Sequence, residues 1–312
     1  MFRKTLVSAC LVLGLTTASF GQVKLERKYR EGTTQTTETT MRFEQKLTIA
    51  GMDTETSSET RSTTKSTIGK RDVAGLLRVQ EKVESLQINI GVMGMDYFFD
   101  SANPDNKGSS QLEILRDIHK ALAQRTTTTI FDKENKILGF EADQDLLSVV
   151  PDAVKPLVKS QLDPENLKKA ANEELKKLPT EVVNKGDTWQ RTESTNFGAG
   201  QVMTFQIKYT YEGAVEKDGR TLDKITAKVL TVDFSLQDSP LPFTLKGSDL
   251  KAAESDSVLW FDRELGGVVE ASASTRITGD ITFVINNMDL PSKLDLKIQS
   301  GAVLKRDASA KK

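Results

Sequence analysis

The chain has 312 residues, with 43 basic and 44 acidic side chains, one His and one Cys. Hydrophobic residues make up 37% of it, enough for a real core in one large domain or two modest ones, and too much for a chain disordered throughout. The near balance of charge lacks the domain-wide basic footprint of a protein that grips phosphate backbones, so nucleic acid is not an expected partner.

Arg3 and Lys4 precede an apolar run from Thr5 to Leu15, and Ser19-Phe20-Gly21 puts small residues where a signal peptidase reads. Residues 1–21 are therefore expected to be a signal peptide cut near Gly21, with the mature chain extracytoplasmic, in the periplasm or secreted. The run is shorter than the roughly 18 to 20 residues that span a bilayer, and no later segment comes close, so no transmembrane span is expected. Val7-Ser8-Ala9-Cys10 has the form of a lipobox, but cleavage there would leave only Thr5 to Ala9 as the apolar region. A lipoprotein anchored through Cys10 is not expected. A cut at Gly21 also removes that one cysteine, and with it disulfides and Cys-ligated metals.

Residues 22–143 read as an N-terminal antiparallel β module with one helix. Met41, Phe43, Leu47 and Ile49 share the parity of one strand face. Thirteen threonines lie between Thr33 and Thr67, and β-branched side chains of this kind suit a pleated, half-wet surface. Thr54 to Ser66 holds no apolar residue and reads as a solvated edge strand or a loop. Leu77, Val79 and Val83 take one parity and Leu86, Ile88 and Ile90 the other, which places a β-bulge near Glu84 or Ser85. Leu112, Leu115, Ile118 and Leu122 then recur at three or four residues, the spacing of an amphipathic helix over 111–124. Strands follow at Thr126–Phe131 and Ile137–Glu141.

Residues 144–179 form a helical insert, cut into short pieces by Pro151, Pro156, Pro164 and Pro179. Asp163-Pro164-Glu165 is a helix start, with an N-cap, a proline at the first helical position and a carboxylate near the positive end. Residues 180–304 read as a C-terminal antiparallel β module, and 305–312 as a basic tail. Met203, Phe205, Ile207, Tyr209 and Tyr211 alternate with polar residues in the cleanest strand of the chain, and Lys217-Asp218-Gly219 is a hairpin turn. A second parity slip falls at Val229-Leu230, and further strands are expected at 257–263, 267–277, 280–286 and 293–300.

The hairpins Phe131-Asp132 to Gly139 and Phe261-Asp262 to Val269 both read Phe-Asp, polar turn, strand, which points to an internal repeat. Tyr29-Arg30-Glu31-Gly32, Phe99-Asp100-Ser101-Ala102-Asn103-Pro104-Asp105 before a short helix, Phe131-Asp132, and Pro179 followed by Gly186-Asp187-Thr188-Trp189 resemble a family of secreted bacterial proteins known only as domain of unknown function 6263. The resemblance spans nearly the whole mature chain and implies no catalytic residues. The layout is also similar to periplasmic lipoprotein carriers and related lipid-binding half-barrels, an analogy of fold alone.

Motifs for chemistry are few. His119 is the one imidazole and lies on or beside the apolar stripe of its helix, so it reads as a packing residue. No Gly-x-Ser-x-Gly elbow, Ser-x-x-Lys motif, Walker loop or dinucleotide fingerprint is present. Asp100 to Gly108 is rich in oxygen ligands but does not fit a calcium loop and reads as an Asx-turn. Glu141, Asp143 and Asp145 cluster, with Asp143 or Asp145 as a helix cap. Trp189 and Trp260 sit in strand patterns where core packing is the ordinary role. The fold class expected is α+β and β-dominated: two related curved antiparallel sheets, half-barrel-like, with short helices packed on one face. The function expected is non-enzymatic, with a lipid, other hydrophobic ligand or envelope protein held between sheet and helices. A structural or interaction module pairing through its Thr-rich strands is the alternative, and a carboxylate-dependent hydrolase the next. No catalytic, cofactor or metal residue is assigned, and the ligand-facing apolar residues are unknown.

Overall fold

The computed structural model describes residues 22–108, 110–143, 145–152, 155 and 163–305. The expected signal peptide, Cys10 and the expected basic tail beyond Lys305 lie outside these residues. Among the described residues there are twelve strands: β1 (Thr34–Ile49), β2 (Met52–Ile68), β3 (Leu77–Val92), β4 (Met95–Asp100), β5 (Thr126–Phe131), β6 (Ile137–Ala142), β7 (Thr188–Gly198), β8 (Gln201–Lys217), β9 (Arg220–Leu236), β10 (Thr244–Asp262), β11 (Gly267–Ile285) and β12 (Met288–Lys305). A 3-10 turn (Gln111–Leu115) leads into α1 (Arg116–Gln124), and α2 (Leu146–Val149) and α3 (Pro164–Leu175) follow β6.

All twelve strands belong to one antiparallel sheet, in the order β6-β5-β3-β2-β1-β12-β11-β10-β9-β8-β7, with β4 on the upper part of β3. The two sheets expected from the sequence are therefore one. The first and last strands make the join: β1 pairs with β12 from Thr36↔Lys305 to Ile49↔Ser292. Thr54 to Ser66 is neither edge nor loop, because β2 is paired along both sides, by β1 and by β3. Its Ser and Thr side chains suit such a position, since each has a hydrogen-bonding tip on a body that packs against strand neighbours.

The register shows why four separate apolar clusters share one face. Phe43 stands opposite Ser58 and Ile298, Leu296 opposite Ile277, and Val232 opposite Phe205 and Leu250. Both expected bulges are present, where Glu84 and Leu230 are skipped in the pairing of β2 with β3 and of β8 with β9. Each slip keeps the apolar parity on the same side after the strand changes phase. The largest cluster joins Phe43 and Leu47 of β1 to Phe197 of β7, six strands away, so the sheet curls around this face.

Helices and one extended segment cover the rest of the inner face. Leu112, Leu115 and Leu122 pack on Leu86, Ile88, Tyr97 and Phe99, while Ala171 and Leu175 of α3 pack on Ile68, Leu77, Phe131 and Ile137. Asp163 caps α3 by accepting from the Asn166 amide, with Pro164 at its first position. Residues 23–29 cross between clusters, with Leu25 beside Tyr209 and Phe261, and Tyr29 against Phe131. The end strands β6 and β7 are not paired with each other. Instead α3 lies between them: Asn172 accepts from the Ile137 amide and donates to the Ile137 carbonyl, both at 3.1 Å, and the Lys177 carbonyl just beyond the helix accepts from Trp189 Nε1 at 2.9 Å. This occupies part of an edge that would otherwise offer free backbone groups.

Candidate functional site

The opposite face of the sheet is polar, and its rows follow from the same register. Phe98, Asn89, Glu59, Arg42 and Gln299 stand side by side across β4, β3, β2, β1 and β12. The neighbouring row is Asp96, Gly91, Ser57, Glu44, Lys297, Arg276 and Glu254. Along these rows lies an open trough of about 980 Å³, lined among others by Arg42, Glu44, Glu59, Asn89, Asp96 and Phe98, with Asn106 to Gly108 as a side wall. A second depression of about 700 Å³ shares Glu44, Ser57, Gly91 and Gly94 with it and extends to Glu254, Arg276, Asp295 and Lys297. Gly91 keeps the floor low: a Cβ there would lie 2.9 Å from Ser57 Oγ and 3.5 Å from Asp96 Oδ1.

Charges of both signs alternate in the trough. Arg42 binds Glu59 at 2.8 Å, Arg61 binds the same carboxylate, and Arg276 binds Asp295 at 2.7 Å. The Arg42 and Arg61 hydrogen bonds hold the Glu59 carboxyl below its usual range, and Arg116 does the same for Glu113. Glu44, Asp96, Lys107 and Lys297 make no ion pair among the described residues, which leaves two acceptors and two donors free to meet a ligand. Phe98 adds a half-exposed ring beside them.

Of the loop Asp100 to Gly108 singled out by sequence, Asn106 to Gly108 form the side wall of the trough; the other residues singled out lie elsewhere. His119 is inside, its Nδ1 2.7 Å from the Tyr97 hydroxyl and its ring against Tyr97 and Phe99. Burial, then the charge of Arg116, push it down to about 4, so it is a neutral packing residue. Asp100 Oδ1 accepts from the Ala102 amide as an Asx-turn does, Asp145 caps α2, and Asp143 accepts from the Thr126 amide. Trp189 stacks on Tyr209 at 5.5 Å, and Trp260 lies under the ammonium groups of Lys217 and Lys224. None of these lines the trough. Its polar strand residues escaped sequence reading because each is an ordinary outward residue of a strand, and only the register brings them into rows.

Two further polar sites are structural. Asp223, 1% exposed, is bound by Arg263 through both oxygens at 2.5 and 2.6 Å and by the Tyr211 hydroxyl at 2.5 Å. The Tyr209 hydroxyl donates to Glu193, which also binds Lys177 at 3.2 Å.

A model of a family of unknown function, DUF6263, matches residues 74–248. No curated protein matches the chain. A lipovitellin structure described for its lipid–protein interactions is 11% identical, with a TM-score of 0.39 over 91% of this chain and 27% of its own length, so the chain spans about a quarter of lipovitellin. DynF, from the dynemicin biosynthesis pathway of Micromonospora chersina, is 9% identical with a TM-score of 0.21, covering 93% of this chain and 89% of its own. OccK5 (OpdH) of Pseudomonas aeruginosa is 8% identical with a TM-score of 0.21, covering 88% and 99%.

Proposed function

Since the chain belongs to the family of unknown function DUF6263, we propose its role from geometry: a non-enzymatic, extracytoplasmic binding protein that holds an extended neutral polar ligand, an oligosaccharide, across the outer face of its sheet. The observation that carries this reading is the trough itself. It crosses strands spaced about 4.8 Å apart, so the six from β4 to β11 offer a run of roughly 24 Å. Alternating carboxylates, guanidinium groups and an amide favour neither an anion nor a cation, and they suit a ligand bearing many hydroxyls. The Phe98 ring offers a flat apolar surface for a sugar face. Support for a non-enzymatic role comes from Glu59 and Glu113: a general acid needs a raised pKa, and their arginine partners lower theirs.

Titration with a panel of neutral oligosaccharides, read by amide NMR, tests this. Shifts confined to Asn89, Asp96, Phe98 and Glu44 are expected, with affinity reduced roughly tenfold by Phe98→Ala, the size of one lost stacking contact. A panel that shifts none of these amides refutes the site, and turnover of any sugar refutes the non-enzymatic role. A hydrophobic ligand between sheet and helices is the second reading, favoured by the apolar faces of α1 and α3. The helix side chains already fill that contact, so such a ligand requires a helix to lift. Native mass spectrometry of protein taken from its own envelope tests it, and an empty protein tells against it.

A further inference from the structure

The strands turn at two ends of the sheet, and the ends differ in chemistry. At one end the connections are Arg71 to Gly75, Asp132 to Lys136, Lys217 to Arg220 and Asp262 to Gly266, all rich in charge. At the other they are Ala50-Gly51-Met52, Met93-Gly94, Ala199-Gly200, Ser239-Pro240-Leu241-Pro242 and Asn286-Asn287-Met288. Met52 and Met93 are 71% exposed and Met288 is 61% exposed. Their turns join β1 to β2, β3 to β4 and β11 to β12, which puts them in a row at every second strand, about 10 Å apart.

Backbone conformation shows that three of the five turns at this end carry an apolar residue against local preference, while the other two hold Asp238, Asn286 and Asn287 at their positive-φ positions. Ala50, Met93 and Ala199 hold φ of 49°, 50° and 50°, the left-handed region in which hairpin turns ordinarily use Asn, Asp or Gly. At the charged end the matching positions do hold such residues, Asn135 and Asp218. The acids beside Met52 and Met288 are ion-paired: Asp53 is bound by Lys46 at 2.6 Å, and Asp289 by Lys246. The rim therefore presents no basic patch for an anionic partner. A protein partner would need three matching pockets for three isolated, flexible thioether side chains, whereas a fluid interface needs none.

We propose that this end of the sheet docks, tips first, on a neutral lipid surface, with Met52, Met93 and Met288 entering the interfacial zone. The docking rim adjoins the oligosaccharide trough at one turn, since Met93 and Gly94 also line its second depression, whereas Met52 and Met288 lie outside both depressions. Co-sedimentation of the purified protein with phosphatidylcholine vesicles tests it. Binding is expected to survive a rise in salt, because the rim is apolar and ion-paired. Met93→Asn is the decisive variant: it restores the residue the turn prefers, so stability holds or rises while partitioning falls roughly tenfold. Combining it with Met52→Ser and Met288→Ser is expected to abolish binding, while Lys133→Ser at the other end leaves it unchanged. A wild-type protein that stays in the supernatant, or a triple variant that still sediments, overturns the proposal. A triple variant that loses self-association instead overturns it in favour of a second copy of this chain.

Discussion

Acid is expected to loosen the fold through His119 before it reaches the ion pairs. In the folded protein its Nδ1 shares a hydrogen bond with the Tyr97 hydroxyl, two aromatic rings flank it, and the Arg116 guanidinium lies 5.4 Å from the Tyr97 ring centre. Protonation would bury a charge among these rings and put a second cation beside Arg116. The folded value is about 4 against an ordinary 6.5, so below pH 6.5 the unfolded chain takes up a proton that the folded chain refuses. Stability contributed by the neutral imidazole is thus fully present above the unfolded value and lost as the pH falls toward 4. At about 1.4 kcal/mol per unit, the whole shift amounts to roughly 3 kcal/mol. Glu81 acts in the opposite sense, since burial raises its carboxyl and its protonation steadies the fold. Comparison with His119→Gln cancels Glu81 and the ion pairs alike. Urea denaturation between pH 7 and pH 4 should show wild type losing roughly 3 kcal/mol relative to the variant. Parallel curves for the two proteins refute the assignment.

Four further substitutions test the fold. Asn172→Ala removes both hydrogen bonds that α3 makes to the edge of β6 and should cost about 2 kcal/mol in urea melts. Gly279→Ala would bring a Cβ within 2.0 Å of the Asp249 carbonyl at φ 152°, so a loss of about 3 kcal/mol or failure to fold is expected, and a wild-type melting temperature would contradict it. Arg263→Ala leaves the buried Asp223 carboxylate with the Tyr211 hydroxyl alone, which should cost about 3 kcal/mol, while Tyr211→Phe, which keeps the ion pair, should cost about 1 kcal/mol.

Local pattern made some elements legible. Alternation from Met203 to Tyr211 marks β8, the parity slips mark the bulges at Glu84 and Leu230, and Asp163-Pro164 marks the start of α3. Residues 244–256 of β10 were missed because Lys246, Asp249, Lys251, Glu254 and Asp256 leave little apolar alternation to read. The two strands read at 267–277 and 280–286 are one, β11, which runs on through Gly279. The union of the modules was hidden for another reason. It rests on the pairing of β1 with β12, between residues at opposite ends of the chain, and hydrophobic periodicity carries no information about which strand lies next to which. The trough was hidden by the same fact, since Asp96, Ser57, Glu44, Lys297 and Arg276 become neighbours only through five strand registers.

The two faces of the sheet also decide how the protein can meet a membrane. A strand that crosses a bilayer in a closed barrel turns an apolar band outward and polar residues inward. Here the order is reversed. Arg42, Glu44, Lys46, Glu55 and Glu59 occupy the outer face of the central strands, and Phe43, Leu47, Leu294, Leu296 and Ile298 the inner one. Placing the outer rows in hydrocarbon would desolvate a ladder of ion pairs with nothing apolar to offset the loss. No helix among the described residues is long and apolar enough to cross either. Contact with lipid is then limited to the turns at one end, where the apolar residues are single, exposed and set in a row, and the strands stand clear of the surface with their charged face open to the aqueous side.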